Sequence, residues 1–324
     1  EVSLFVPGRS YIVRWLQQKK FYYRIIPEVK ITAKRPFSFF KLIYLIFHSC
    51  IILLREKFDI IVITGSYTTF PFLLASFLCN KKSFVHEQNF IPGKITKLSG
   101  FIADRIALSF PSTSLLHKKK AVITGFPVPE DFKKRYQKGD VLTQFNFTEE
   151  DKTVLILGGS QGATFLNNLI IGNMDYLSKK KLQFIHLAGK DKEVLIERYR
   201  KYGIQAQVFD FYFDMAKLYS ITDIIICRAG AGTIAEICEW KIPAIVIPYP
   251  YAGGHQRYNA IYLAKQGGCN MLDQNPDSIQ LFPDVFEKTL KELDTIKQNL
   301  EKISIVDNSG NNVNAIMELL KNGK

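Results

Sequence analysis

The stretch that decides the fold lies at residues 153–170 and reads TVLILGGSQGATFLNNLI. Its first five residues are apolar or β-branched, as in a strand that is buried on both faces of a parallel sheet. A glycine-rich turn at residues 158–163 follows at once and leads into a segment with helical patterning. A buried strand, a tight turn and a helix form one half of a right-handed β-α-β unit. The stretch therefore predicts an α/β protein.

Strands of the same kind recur along the chain, separated by segments of helix length. The first series lies at residues 2–6, 59–64, 83–86, 105–108 and 122–124, and the second at 153–157, 184–187, 206–209, 223–227 and 244–247. Gly125, Pro127 and Pro129 lie between the two series, which is typical of a linker. We therefore predict two doubly wound, Rossmann-like parallel-sheet domains, at residues 1–127 and 128–307, and a last helix at 308–324.

The turn at residues 158–163 suits an anion. Glycines let the backbone approach a ligand, and the start of the next helix offers unpaired N–H groups and partial positive charge. Ser160 adds a hydroxyl donor. The segment is neither G-x-G-x-x-G nor a P-loop, which argues against a dinucleotide oxidoreductase and an ATPase. Close packing of helix on sheet explains the same glycines without any ligand.

A second turn of this kind follows the strand at 223–227. Residues 227–236 read CRAGAGTIAE, so glycines again expose the start of a helix, and Glu236 lies one turn inside it. A carboxylate at that place can accept hydrogen bonds from both hydroxyls of a ribose. Thr233 and Glu236 also have the spacing of a capping box, in which both side chains serve the helix alone. The spacing leaves both interpretations open.

Two polar clusters follow other predicted strands. Residues 86–89 read HEQN, and residues 248–256 read PYPYAGGHQ and lead into a helix that starts near His255 and Gln256. Ligands of parallel α/β sheets bind at the carboxyl ends of the strands. Amide side chains suit sugar hydroxyls because they offer both donors and an acceptor. A structural role is the alternative for a single histidine such as His86.

The net charge of +13 lies entirely in the first part of the chain. Residues 1–128 hold 19 Lys and Arg against 6 Asp and Glu, whereas residues 129–324 hold 24 of each. A field of this kind suits an anionic surface such as lipid headgroups, a diphosphate or nucleic acid. Solubility alone is the other interpretation. No base-reading basic helix or aromatic RNA platform is visible, so we expect no nucleic-acid partner.

The apolar run at residues 42–54 is shorter than the roughly 20 residues that a membrane-spanning helix needs. It is either a buried helix with an exposed apolar end, which we favour, or a helix whose apolar face dips into a membrane. The five cysteines are scattered and form no C-x-x-C pair, which favours a reducing cytosol. Without H-E-x-x-H, D-x-D or a His/Cys cluster, the sequence predicts no metal site.

Seven segments, taken together and in order, resemble the MurG family of peptidoglycan glycosyltransferases, the undecaprenyldiphospho-muramoylpentapeptide β-N-acetylglucosaminyltransferases. They read HEQNFIPG, ADRIALSF, TGFPV, GGSQGA, FDM, CRAGAGTIAEI and PYPYAGGHQRYNA, and they span residues 86–260. The resemblance implies the GT-B fold, in which two Rossmann-like domains face a cleft. It also implies that the helix at 308–324 joins the first domain.

The family's activity is an inverting transfer of GlcNAc from UDP-GlcNAc to the muramoyl C4 hydroxyl of lipid I, which gives lipid II. By resemblance, the partners are UDP-GlcNAc and a polyprenyl-diphosphate-linked muramoylpentapeptide, and neither a metal nor another cofactor is required. The expected location is the cytoplasmic face of the inner membrane, held by peripheral contact with anionic lipid. In this family the first domain faces the membrane and the second binds the nucleotide sugar, which agrees with the division of charge.

The resemblance also implies roles for single residues. The segment with Ser160, Gln161 and Gly162 lies on the UDP diphosphate, and Tyr212 touches the uracil. The second turn contacts the phosphate and the sugar through Arg228, Ala231, Gly232 and Thr233. Glu236 binds the ribose hydroxyls. Gln256, together with His255, binds the GlcNAc, and Asn89 contacts the same sugar. His86 is the catalytic candidate.

Two features depart from the family. Its first glycine-rich loop, which carries a histidine that is a candidate base, is absent, so we expect residue 1 to follow a missing strand, loop and helix. Pro129 stands where the family commonly has Arg, which removes a phosphate contact unless Arg228 supplies one. The alternatives are a related GT-B glycosyltransferase, a UDP-GlcNAc epimerase, or a truncated protein that binds UDP-GlcNAc without turnover.

Overall fold

The computed structural model describes residues 2–8, 10–26, 37–65, 67–111, 118–158 and 164–321. The chain divides into two compact units. Unit 1 comprises Glu1–Gln88, Pro92–Thr124 and Ser309–Lys324, and unit 2 comprises Asn89–Ile91 and Gly125–Asn308. The domain limits at residues 127 and 308 stay a prediction, and the assignment of Asn89–Ile91 to unit 2 is not part of it.

Unit 1 contains two parallel sheets in the part of the chain that is described. In the first, β1 (Leu4–Pro7) pairs with β2 (Tyr23–Ile26). The second has the order β3 (Ile60–Thr64), β4 (Lys82–Glu87), β5 (Arg105–Leu108) and β6 (Ala121–Ile123). The helices between them are α1 (Ser10–Gln18), α2 (Phe37–Arg55), α3 (Phe70–Leu78) and α4 (Lys94–Ile102).

The division of unit 1 into two sheets falls between β1 and β3. Each of these strands pairs with one neighbour only among the described strands. Phe5 of β1 nevertheless packs against Phe58 and Phe72, which lie just before β3 and in α3.

Unit 2 is built on one parallel sheet of six strands. These are β7 (Lys152–Leu157), β8 (Leu182–Leu187), β9 (Ala206–Phe209), β10 (Ile224–Cys227), β11 (Ala244–Val246) and β12 (Asn270–Met271). Their spatial order is β9-β8-β7-β10-β11-β12. The chain therefore runs outward from β7 in both directions, as in the doubly wound Rossmann arrangement that the sequence predicts.

The helices of unit 2 cover both faces of this sheet. They are α5 (Glu130–Lys133), α6 (Lys138–Gln144), α7 (Thr164–Gly172), α8 (Met174–Leu177), α9 (Lys192–Lys201), α10 (Met215–Ile221), α11 (Ala231–Trp240), α12 (His255–Lys265), α13 (Ser278–Lys291) and α14 (Leu293–Lys302). β7 is buried from Thr153 to Leu157 and lies at the centre of the core, where Phe184, Phe282 and Phe286 are fully buried.

The chain then returns to unit 1 as α15 (Asn311–Lys321). Ala315 and Leu319 of this helix pack against Phe84 and Ala107 of β4 and β5. The buried Thr124 hydroxyl also donates to Asn312 Oδ1 at 2.9 Å. The last helix thus completes the core of unit 1, although it follows unit 2 in sequence.

The apolar run at 42–54 forms the greater part of α2. One face of this helix is buried through Leu45, Ser49 and Leu53, whereas Phe40 and Phe47 on another face are 69% and 63% exposed. The helix is thus partly buried, as in the favoured interpretation, but its exposed apolar residues form a face rather than only an end, so both interpretations stay predictions. Within the described ranges, no helix is long and apolar enough to cross a membrane.

Candidate functional site

The carboxyl edge of the sheet in unit 2 holds most of the residues predicted from the sequence. Leu157 at the end of β7 pairs with Cys227 at the end of β10, so the two glycine-containing turns start side by side. The strand order reverses between these two strands, and ligands of doubly wound sheets bind at such a point. Ser160, Gln161 and Gly162 lie outside the described residues.

The first turn of α11 presents free backbone donors at this edge. Gly230 precedes the helix in an extended conformation, and no side chain caps the helix. The N–H groups of Ala231, Gly232 and Thr233 have no acceptor within the helix because they lie in its first turn. Thr233 is the third helical residue rather than the cap, so Thr233 and Glu236 do not form a capping box. An anion is well accommodated at such a helix start.

Glu236 lies one turn further along α11, and its carboxyl group is enclosed. The Tyr219 hydroxyl donates to Glu236 Oε2 at 2.5 Å. Burial disfavours the charged form and raises the pKa of Glu236 to about 7, although the Tyr219 hydrogen bond acts in the opposite direction. A Cβ built on Gly232 would make ordinary van der Waals contacts with Phe126, at 3.6 Å, and with Glu236 Oε1, at 4.0 Å, so Gly232 lies next to this oxygen.

Arg228 supplies a positive charge just after β10, at the start of the second turn. Its guanidinium lies 5.4 Å from the ring centre of Phe165 and 5.7 Å from that of Tyr249, and it donates to the carbonyl oxygen of Ile247 at 3.1 Å. Among the described residues, no carboxylate forms an ion pair with Arg228. Burial lowers its pKa, but an arginine remains charged at neutral pH.

The start of α12 is placed by two glycines in succession. Gly253 and Gly254 have φ of 77° and 71°, in the left-handed region that favours glycine. The turn brings Gln256 back toward the preceding strand, where its Oε1 accepts from the Tyr249 backbone N–H at 3.0 Å. Gln256 can therefore donate hydrogen bonds from its Nε2 group to other partners. His255 Nδ1 bonds to the carbonyl oxygen of Ile91 at 3.2 Å.

The predicted cluster at residues 86–89 is divided between the two units. His86 is 5% exposed in unit 1, and its Nε2 lies 3.1 Å from the Ser109 hydroxyl. Glu87 is buried as well and accepts from the Thr96 hydroxyl at 2.5 Å. Asn89 belongs to unit 2, where its Oδ1 accepts from Asn259 Nδ2 at 3.1 Å. The catalytic role of His86 stays a prediction.

Tyr212 lies shortly after the end of β9, and its ring packs inward. Its ring lies 5.0 Å from Phe209 and 6.2 Å from Phe145, and burial raises its pKa. The exposed rings belong to its neighbours: Phe211 and Phe213 are 49% and 48% exposed, with their centres 4.8 Å apart. The alternation of inward and outward positions in an extended segment is the signal that would have found them. The contact of Tyr212 with uracil stays a prediction.

Across the described ranges, no group of three or more His, Cys, Asp and Glu side chains is placed to hold a metal ion. Arg228 and the start of α11 each supply positive charge at the carboxyl edge of unit 2. The arrangement can bind a diphosphate, and Glu236 beside it can accept from a diol.

Comparisons with known proteins agree with this geometry. Residues 153–323 match the glycosyltransferase family 28 C-terminal domain, and residues 10–108 match the glycosyltransferase family 28 N-terminal domain. The UDP-N-acetylglucosamine--N-acetylmuramyl-(pentapeptide) pyrophosphoryl-undecaprenol N-acetylglucosamine transferase of Prochlorococcus marinus (strain MIT 9301) is 33% identical over 289 residues, which cover 88% of this chain and 74% of the relative.

Two solved structures share the fold. Acinetobacter baumannii MurG is 24% identical with a TM-score of 0.72, and the alignment covers 98% of this chain and 90% of that one. The UDP-GlcNAc 2-epimerase of Neisseria meningitidis, bound to UDP-GlcNAc, is 14% identical with a TM-score of 0.69 and coverage of 100% and 92%. The fold is thus the two-domain α/β GT-B fold. From its domain matches and the identity to this transferase, the chain belongs to glycosyltransferase family 28 and, within it, to the MurG family.

Proposed function

We propose that the protein transfers GlcNAc from UDP-GlcNAc to the C4 hydroxyl of the muramoyl sugar of lipid I, a polyprenyl-diphosphate-linked muramoylpentapeptide, and so forms lipid II. One observation carries the proposal: Arg228, the start of α11 and Glu236 all lie in the segment that follows β10 at the carboxyl edge of unit 2, in a chain that is 33% identical to such a transferase. A nucleotide sugar offers the matching diphosphate and ribose.

The donor nucleotide lies along this edge in the proposal. Its diphosphate faces the first-turn N–H groups of α11 and the guanidinium of Arg228, together with the turn at residues 158–163. The ribose hydroxyls donate to the carboxylate of Glu236. The uracil lies near Tyr212 and the exposed rings of Phe211 and Phe213, which offer apolar faces for stacking.

The GlcNAc lies beyond the diphosphate, toward α12. Gln256 has its oxygen engaged by the Tyr249 N–H, so it offers its Nε2 donors to sugar oxygens. Asn89 is held against α12 in the same unit and contacts the same sugar. His255 lies between these two groups in the turn that starts the helix and bonds the carbonyl oxygen of Ile91.

The reaction is a single displacement at C1 of the GlcNAc. The acceptor hydroxyl forms a bond to C1 as the bond from C1 to the diphosphate oxygen breaks, and its proton passes to a base. Negative charge grows on the departing UDP, where Arg228 and the amides of α11 stabilise it. His86 is our candidate for the base, although its side chain is engaged by Ser109.

Unit 1 makes the proposed contact with the membrane in which the lipid acceptor lies. The exposed apolar side chains of α2, Phe40, Ile43, Tyr44 and Phe47, recur at the spacing of one helical face. The excess positive charge at residues 1–128 adds attraction to anionic headgroups. We infer a peripheral protein at the cytoplasmic face of the inner membrane.

The function is tested by incubating the protein with labelled UDP-GlcNAc and a short-chain lipid I analogue. A version extended upstream by roughly 30 residues, the length of one strand, loop and helix, is assayed beside it. Lipid II formed by either version supports the proposal. Conversion of UDP-GlcNAc into its C2 epimer, or tight donor binding with no transfer by either version, would favour the epimerase or the non-catalytic alternative.

A further inference from the structure

Two of the five cysteines lie where α2 packs against α3 in unit 1. Cys50 belongs to the last two turns of α2, and its side chain packs on a buried cluster that includes Phe72 and Ala75 of α3. Cys79 ends α3, and its backbone N–H donates to the carbonyl oxygen of Ala75 at 2.9 Å. Cys79 therefore lies one turn beyond Ala75, on the same face of α3. The fold thus brings both thiols to one contact between helices.

The two thiol groups interact directly. Burial raises the pKa of Cys50, and a hydrogen bond with the Cys79 thiol raises it further. Both side chains are half-buried, so part of each remains exposed to solvent. No sequence pattern pairs these residues, because they lie on separate helices and form no C-x-x-C motif.

The other three cysteines have a different environment. Cys227, Cys238 and Cys269 belong to unit 2 and are at most 5% exposed. Burial raises the pKa of each of these thiols, to about 12 for Cys238, and so disfavours the thiolate that reacts. These three thiols serve as references inside the same protein against which the reactivity of the half-buried pair can be measured.

We propose that Cys50 and Cys79 form a site of reversible oxidation, at which a small disulfide converts the two thiols into an intramolecular disulfide bond. The Cys79 sulfur bonds to one sulfur of the reagent and expels the other as a thiolate. The Cys50 sulfur then bonds to the Cys79 sulfur and expels the second half of the reagent. Two electrons pass from the protein thiols to the reagent, and the two expelled thiolates take up the two protons.

The position of the pair suits this second, intramolecular step. A disulfide holds its sulfurs about 2.05 Å apart, so hydrogen-bonded thiols must still approach each other. Cys79 follows the last helical residue of α3, where the chain can adjust without opening a helix. Two thiols held side by side react with each other more readily than with a second reagent molecule. In a reducing cytosol such a bond is transient. The inference goes beyond the proposed function and does not depend on it.

The test treats the folded protein with oxidised glutathione and maps its disulfides by mass spectrometry without reduction. We expect one linked pair of peptides, which joins Cys50 to Cys79, and complete reversal by dithiothreitol. Cys50→Ser should stop at a mixed disulfide between Cys79 and glutathione, because the second thiol is absent. In urea, where all five thiols are exposed, the preference for this pair should disappear.

Cys238→Ala is the matched control, since it removes a buried thiol and keeps the pair. The link between Cys50 and Cys79 should form in this variant at a rate within twofold of that in the unmodified protein. Thermal unfolding gives a second measurement. A disulfide that fits the folded unit 1 restricts the unfolded chain, so the oxidised protein should have a Tm higher by roughly 5–10 °C.

Three results would overturn the inference. The first is glutathione on both Cys50 and Cys79 without a link between them, and the second is a pair that stays reduced throughout the treatment. The third is a lower Tm after oxidation, because such a link forms only when unit 1 is distorted. None of these results bears on the transfer of GlcNAc, so the proposed function stands or fails separately.

Discussion

Glu236 combines an enclosed carboxyl group with a place beside the first turn of α11. Its pKa is raised to about 7 by burial, so the free protein carries a proton there at mildly acid pH. In the proposed function, ribose hydroxyls donate to the ionised carboxylate, so binding would release this proton. We therefore expect affinity for UDP-GlcNAc to be about tenfold weaker at pH 6 than at pH 8, as calorimetry across this range would show.

The matched variant for this pH dependence is Glu236→Gln, which keeps the shape of the side chain and cannot titrate. It should bind UDP-GlcNAc more weakly and with a flat pH profile. His186 does not interfere, since burial lowers its pKa to about 3 and it stays neutral throughout this range. A pH profile that persists in Glu236→Gln would assign the titration to another group.

Arg228 is a cation held in place by aromatic rings rather than by a carboxylate. Because it is proposed to meet the diphosphate, Arg228→Ala should weaken UDP-GlcNAc binding by about 10- to 100-fold, the range for a hydrogen bond to a charged group. The affinity of Arg228→Lys for UDP-GlcNAc should lie between those of the unmodified protein and Arg228→Ala, since lysine keeps the charge and loses the planar stacking.

Arg135 offers the control for this change at the other end of α11. Its guanidinium lies 3.5 Å from the ring centre of Trp240 and bonds to Glu239 at 3.1 Å. Arg135→Ala removes an arginine in a comparable aromatic contact, and the affinity for UDP-GlcNAc should stay within twofold of the unmodified value, roughly 0.4 kcal/mol. Equal losses of affinity for UDP-GlcNAc in Arg135→Ala and Arg228→Ala would contradict the proposed contact between Arg228 and the diphosphate.

At the scale of elements, Gly125 makes the turn by which the chain enters unit 2. Its φ is 82°, and a Cβ at this position would stand 2.8 Å from the backbone of Val306 and Asp307. We expect Gly125→Ala to lower the free energy of unfolding by about 3 kcal/mol in urea denaturation, because left-handed strain and overlap add together. Gly203→Ala, with φ of 64° and no atom within 4 Å, should cost about 1 kcal/mol.

The exposed face of α2 gives a second prediction at this scale. Replacing Phe40 and Phe47 by serine should reduce co-sedimentation with anionic vesicles about tenfold or more, because each ring contributes roughly 2 kcal/mol when it leaves water. Val194→Ser, an exposed apolar position on α9 in unit 2, is the control and should have no effect. Unchanged sedimentation of the double variant would exclude α2 as the membrane contact.

Most strands were predictable because a buried parallel strand is apolar along its whole length. Ile60–Thr64, Lys152–Leu157 and Ile224–Cys227 lie within a residue or two of their predicted positions. Tyr23–Ile26 and Asn270–Met271 were not predicted. The first has four residues, interrupted by Arg24, and the second has two, so both are too short to show a period.

At the scale of the whole molecule, the sequence predicts two Rossmann-like domains and the edge at which ligands bind. It does not predict that Asn89–Ile91 belongs with unit 2. That assignment depends on the hydrogen bond between Phe90 and Asn259, which are 169 residues apart, and no local pattern records such a contact. The same holds for the aromatic contacts of Arg228, since Phe165 and Tyr249 lie on different segments.

A crystal structure of the protein with UDP-GlcNAc would show where the donor binds. We expect the ribose hydroxyls within hydrogen-bond distance of Glu236, the diphosphate against Arg228 and the first turn of α11, and the GlcNAc beside Gln256 and Asn89. A donor bound away from the carboxyl edge of unit 2, or bound there with its ribose distant from Glu236, would contradict the account.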